Sequence, residues 1–112
     1  MLTIDVLKAY GADTEDGLKR CMGNEAFYFM LIGKAIDDKS FKTLEDALAN
    51  NDLDTAFEAA HSLKGVLGNL ALTPICTPVY EMTELLRDRS DVDYQPYMDA
   101  IREKKSQLEA LI

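Results

Sequence analysis

His61 is the only histidine in this chain of 112 residues, and three residues beyond it recur at helical spacing. Lys64 stands at +3, Gly65 at +4 and Gly68 at +7. On an α-helix such positions form one stripe, each a turn above the last. At about 100° per residue, Lys64, Gly65 and Gly68 lie within about 60° of His61. Ala56, Ala59, Ala60, Leu63, Val66, Leu67 and Leu70 gather on the far side, near about 200° on the same wheel. The spacing therefore predicts an imidazole that points away from the core, with a cation beside it and two glycines above it.

The chemistry that fits is nucleophilic capture of a phosphoryl group. A neutral imidazole is a good nucleophile near pH 7. The phosphoryl group is negatively charged throughout its transfer, so a nearby ammonium such as that of Lys64 helps to hold it. Glycine inside a helix costs roughly 1 kcal/mol relative to alanine. Two on one exposed stripe are a local fault, explained if another backbone or a large group must come close. Phe57, about 40° from His61 by the same rule, is either an ordinary boundary residue or part of an apolar docking patch. Each residue also has a bland reading. A lone exposed histidine is usually only a surface residue, Gly65 can be a tolerated helix glycine, and Gly68 can serve close helix packing. The residues taken alone leave both readings open.

The stripe needs a long helix, and the sequence supplies one from Leu53 to about Leu72. Strand signals are nearly absent, and helical periodicity runs almost throughout. Thr3 can cap a helix to about Tyr10, stopped by Gly11. Asp13 or Thr14 can cap a second to about Met22, stopped by Gly23. Asn24 opens a longer one, with Phe27, Leu31, Ala35, Met30 and Ile32 available for burial. Asp37 to Ser40 interrupts it, and Ser40 is predicted to cap a segment to about Ala49. Asn50-Asn51-Asp52 is a turn. Thr73-Pro74 reads as a cap and first helical residue. Pro78 then implies either an early kink or a later start for the helix that runs to about Arg89. A last helix spans about Tyr94 to Leu111, with Tyr97, Ile101, Leu108 and Ile112 on one side. Four main legs (24–50 interrupted, 53–72, 74–89 and 94–111) predict an all-α, antiparallel four-helix bundle, with short N-terminal helices within 3–22 covering one end.

Composition sets the outer bounds. The length fits a single domain over 1–112, and apolar residues at 47% suffice for one modest core. Acidic residues outnumber basic ones 20 to 12, for a net charge of −8, which argues against nucleic acid and anionic membranes as partners. No apolar run approaches the ~20 residues of a membrane span. The opening residues do not read as a secretion signal, so the cytoplasm is the expected compartment. Cys21 and Cys76 form no CxxC pair and are expected to be buried free thiols, and no zinc spacing occurs.

The stretch His61-Ser62-Leu63-Lys64-Gly65-Val66-Leu67-Gly68-Asn69-Leu70 closely resembles the signature of histidine-containing phosphotransfer (HPt) domains. That family shows a histidine, a hydrophobic residue two later, Lys-Gly at +3 and +4, and small residues at +7 and often +10. The Asn50–Asp52 turn, the Ala-rich approach from Ala56 to Ala60, and the following helix with Glu81 and Leu85 are similar more weakly. Many members have glycine at +10, where this chain has Ala71, a small residue expected to be tolerated. The resemblance implies an HPt-like four-helix bundle in a two-component phosphorelay. His61 would accept a phosphoryl group through Nε2 from the aspartyl phosphate of a response-regulator receiver domain and pass it to another receiver. Lys64 would stabilise the phosphoryl oxygens, and Phe57, Gly65 and Gly68 would serve docking. The chain would need no cofactor of its own, the receiver supplying Mg²⁺. A hybrid histidine kinase is a further partner, and the chain is expected to be monomeric. The Met1 start and short length suit a free-standing protein. No P-loop pattern occurs, so a carrier rather than a kinase is expected.

Three other functions compete. The same bundle could be a non-phosphorylated adaptor for a receiver or kinase, although docking alone requires neither His61 nor Lys64. It could be the substrate domain of a chemotaxis-type kinase. A hydrolase acting alone lacks a second catalytic group near His61 at any telling spacing.

Overall fold

The computed structural model describes residues 1–112 and contains helices and turns only. Three helices come first: α1 (Ile4–Tyr10), α2 (Thr14–Arg20) and α3 (Glu25–Ile36). Four more complete the chain: α4 (Ser40–Ala49), α5 (Leu53–Asn69), α6 (Thr73–Arg87) and α7 (Gln95–Glu109). The protein is an all-α bundle, as the periodicity predicts. Helix α5 packs most closely on α4 and α6, and α6 packs on α7. Arg102 of α7 reaches Glu45 of α4 and closes the fourth side.

Short polar side chains start most of these helices. Thr3, Asp13, Asn24 and Asp52 each accept a hydrogen bond from a backbone N–H three residues on, as N-caps do. Ser40 does not cap α4, contrary to expectation. It is the first helical residue, and its N–H donates to Asp38 Oδ1 at 2.8 Å. Pro78 lies inside α6 rather than starting it. The Thr77 hydroxyl donates to the Thr73 carbonyl at 3.0 Å, adding a tie across the turn the proline weakens.

Burial follows the α5 wheel closely. Ala56, Ala59, Ala60, Leu63, Leu67 and Leu70 are in the core, and Val66 is half-buried beside it. Helix α3 departs from its predicted face. Tyr28, Ile32, Ala35 and Ile36 are buried, whereas Phe27 and Met30 are exposed and Leu31 is half-buried. The run Phe27 to Ile32 is apolar all round, so periodicity offers no contrast and packing chooses the face. In α7 the core residues are Met98, Ile101 and Leu108; Tyr97 is half-buried and Ile112 is exposed.

The N-terminal helices cover the end of the bundle where α5 turns into α6. The Tyr28 hydroxyl donates to the Leu70 carbonyl at 2.8 Å. The Asp13 N–H donates to the Ala71 carbonyl at 3.0 Å. The Tyr10 hydroxyl donates to the Lys104 carbonyl on α7 at 2.9 Å. Burial pushes the Tyr28 phenol up to about 12, because the charged form would lose its hydration.

Helix α5 ends three residues before Leu72. Leu70 is its C-cap, and Ala71 turns the chain with φ 54°. A left-handed conformation suits glycine and costs an L-residue about 1–2 kcal/mol. Ala71→Gly relieves that strain, while the extra freedom of glycine in the unfolded chain offsets about 0.5–1 kcal/mol. A net gain of about 0.5–1 kcal/mol is expected, raising Tm by a few degrees. A thermal melt of the variant that shows no rise would contradict the strain.

Candidate functional site

Helix α5 presents His61 as its wheel demands: the ring is exposed and Leu63, two residues on, is fully buried. Phe57, one turn earlier, stacks on the imidazole with centroids 5.7 Å apart and planes at 24°. Phe57 itself is half-buried. Two guanidinium groups cover its ring, Arg87 at 5.2 Å and Arg89 at 4.9 Å from the centroid. Cations lie favourably over an aromatic face. Phe57 is thus a platform that ties the imidazole to the far end of α6.

Above His61 the surface is bare. A Cβ on Gly65 would meet nothing within 4 Å, and one on Gly68 would touch only Cys76 Sγ at 3.9 Å. Neither glycine is needed for packing within the chain. Close helix packing, the bland reading of Gly68, therefore does not explain it.

Lys64 is half-buried, and its ammonium is drawn toward α6. It lies 3.6 Å from Glu84 Oε1 and 4.8 Å from the centre of the Tyr80 ring. The other carboxylate oxygen of Glu84 is 3.5 Å from Arg87 Nε. Arg89 pairs with Asp54 at 2.7 Å. The structure brings together His61, Lys64 and Phe57 with four residues the sequence reading did not single out: Tyr80, Glu84, Arg87 and Arg89. They lie 19 to 28 positions beyond His61 on or just after another helix, so no periodic signal connects them to it.

Cys76 adjoins the glycine stripe. It is a free thiol and only half-buried, where full burial was expected; Cys21 is free and buried. Burial raises the Cys76 thiol above its ordinary value, and the charge of Lys64 partly counters this. No group of His, Cys, Asp and Glu side chains has the make-up of a metal site. No helix is long and apolar enough to cross a membrane.

A protein-family model described as Hpt domain matches residues 38–111. The chain belongs to the Hpt domain family. The match runs from the α3–α4 break through α7 and includes every residue of the site. No curated protein and no solved structure matches the chain. Hpt domains are phosphoryl carriers rather than typical enzymes, and they work with receiver domains and kinases. Membership implies histidine phosphotransfer within a phosphorelay for this Hpt protein.

Proposed function

We propose that His61 is the phosphoryl carrier, taking the group from a receiver-domain aspartyl phosphate and delivering it to a second receiver. The observation that carries the reading is the exposure of the chain's sole histidine beside two glycines, Gly65 and Gly68, that packing within the chain does not require. The imidazole Nε2 supplies its lone pair to phosphorus. The N–P bond forms as the P–O bond to the aspartyl group breaks, and the electron pair leaves on the carboxylate. Delivery to the next receiver is the same step reversed.

Each local residue has a role in that step. Phe57 holds the ring in one plane by stacking. Lys64 offers its ammonium to the phosphoryl oxygens. Gly65 and Gly68 admit the receiver's acidic pocket, which brings the Mg²⁺. The net charge of −8 opposes self-association and suits a monomer at work in the cytoplasm. A non-phosphorylated adaptor would use the same surface, but would have no use for the nucleophile.

The test is incubation with receiver domains charged from labelled acetyl phosphate. Acid-labile, alkali-stable label on this chain is expected. Persistent absence of label across a host's receivers would sink the carrier reading and favour the adaptor. Gly68→Glu refines the test, because it places bulk and negative charge where the receiver must approach. Transfer is expected to slow by about tenfold or more, as misplacement by about an ångström does, with Tm changed by only a few degrees. Unchanged transfer rates in that variant would remove the docking role of the stripe.

A further inference from the structure

We infer that Glu84 sets how tightly the phosphoryl group is held on His61, by keeping two neighbouring cations partly neutralised while the site is empty. The inference rests on the carrier reading of His61 and deepens it. Both oxygens of the Glu84 carboxylate are engaged, one by Lys64 at 3.6 Å and the other by Arg87 at 3.5 Å. Lys64 is a helical neighbour of His61 at +3. Arg87 lies on the ring that stacks against His61. Glu84 therefore links, through one carboxylate, two of the three cations around the His61–Phe57 stack; the third, Arg89, pairs with Asp54 instead.

Phosphorylation alters the charge balance at this point. Phosphohistidine adds close to two negative charges and three acceptor oxygens, comparable to other phosphorylated side chains. The new oxygens compete with Glu84 for the Lys64 ammonium, and the carboxylate repels them. Lys64 is held by one ion pair and one aromatic face, and its flexible four-carbon stem lets it turn. Glu84 thereby opposes the charged product. A carrier must release what it accepts, and a carboxylate at this place weakens retention without touching the nucleophile. Glu84 is a positioning residue in this scheme, acting through Lys64 and Arg87.

The alternative is that Glu84 merely fastens α5 to α6. Equilibrium transfer separates the two, because a fastening role moves stability and leaves the phosphoryl distribution alone. A receiver domain that labels the unaltered protein is charged from acetyl phosphate, cleared of donor, and mixed with each variant. The ratio of label on His61 to label on the receiver is then read at equilibrium. Glu84→Gln is expected to raise that ratio about 2- to 5-fold, the factor that goes with one half-exposed ion pair. Glu84→Asp, which keeps the charge, should stay near the unaltered ratio, and Glu84→Lys should move it further in the direction of Gln. The differences should shrink in about 0.5 M salt, as screening of exposed charges requires. An unchanged or lowered ratio in Glu84→Gln and Glu84→Lys, with label present on the unaltered protein, overturns this inference alone. Absence of label on the unaltered protein overturns the carrier reading, and this inference with it.

Discussion

His61→Gln is expected to leave the helical spectrum and Tm in place while phosphoryl acceptance falls to below about 1% of the unaltered level. An amide is no nucleophile, so no covalent intermediate forms. The exchange is structurally mild. The ring is exposed, its main partner is the face of Phe57, and surface changes away from special features fall within about 0.5 kcal/mol. No other histidine stands in reserve. Electrophoresis of labelled protein at neutral pH reads the outcome directly. Full label on the variant would move the acceptor elsewhere and dissolve the assignment.

The second large effect concerns stability. Gly17→Ala is expected to destabilise the protein by about 2–3 kcal/mol, lowering Tm by about 10 °C. A Cβ at Gly17 would lie 2.3 Å from the Tyr28 hydroxyl oxygen, 2.5 Å from Cζ and 2.7 Å from Cε1. The ring cannot yield easily. It is fully buried, and its hydroxyl is bound to the Leu70 carbonyl. Overpacking costs about 1–3 kcal/mol, and a displaced hydroxyl adds the cost of an unmet hydrogen bond, about 1–3 kcal/mol. Better helix propensity returns only about 1 kcal/mol. Adding Tyr28→Phe removes the shortest contact and leaves the two ring-carbon contacts, so it should restore stability only in part. A Gly17→Ala variant that melts like the unaltered protein would show that α2 and the ring can separate at little cost.

That pair also marks where sequence reading stops. The wheel of α5 was legible because alanines and leucines contrast sharply with His61, Lys64 and the glycines, and the core face it implied is the buried one. Caps at Thr3 and Asn24 were legible from residue type, and Asp13 as one of two candidates with Thr14, whereas Asp52, read only as part of a turn, proves to be the cap of α5. Gly17 carries no such contrast. Its partner Tyr28 lies on the next helix, and only the tertiary approach shows that a methyl group has no room there. A lone glycine within a short helix was the available signal. The buried side of α3 was illegible because Phe27, Tyr28, Phe29, Met30, Leu31 and Ile32 are all apolar. At the functional site, His61, Lys64, Phe57, Gly65 and Gly68 could be named from one helix. Glu84, Arg87 and Arg89 could not, since cross-helix ion pairs leave no period in the chain. The +10 position shows a third case. Ala71 could be noted as small, but only its φ of 54° explains why glycine would suit the place better.

Of the four hydrogen bonds that moor the N-terminal segment, from Tyr10 to Tyr28, to the bundle, three end on backbone carbonyls, those of Leu70, Ala71 and Lys104, and only the one from Arg20 ends on a side chain, that of Asn69. A carbonyl is the same whatever side chain hangs beside it. Evolutionary drift at those three positions leaves the moorings intact, provided the turn keeps its shape. The leading helices are thus written mainly in their own residues, Tyr10, Gly17 and Tyr28, rather than in those of their host. Their apolar side is a different matter: Leu7, Cys21, Tyr28 and Ile32 share one core with the bundle, so shedding these helices would bare that surface, although the family match begins only at residue 38, just beyond α3.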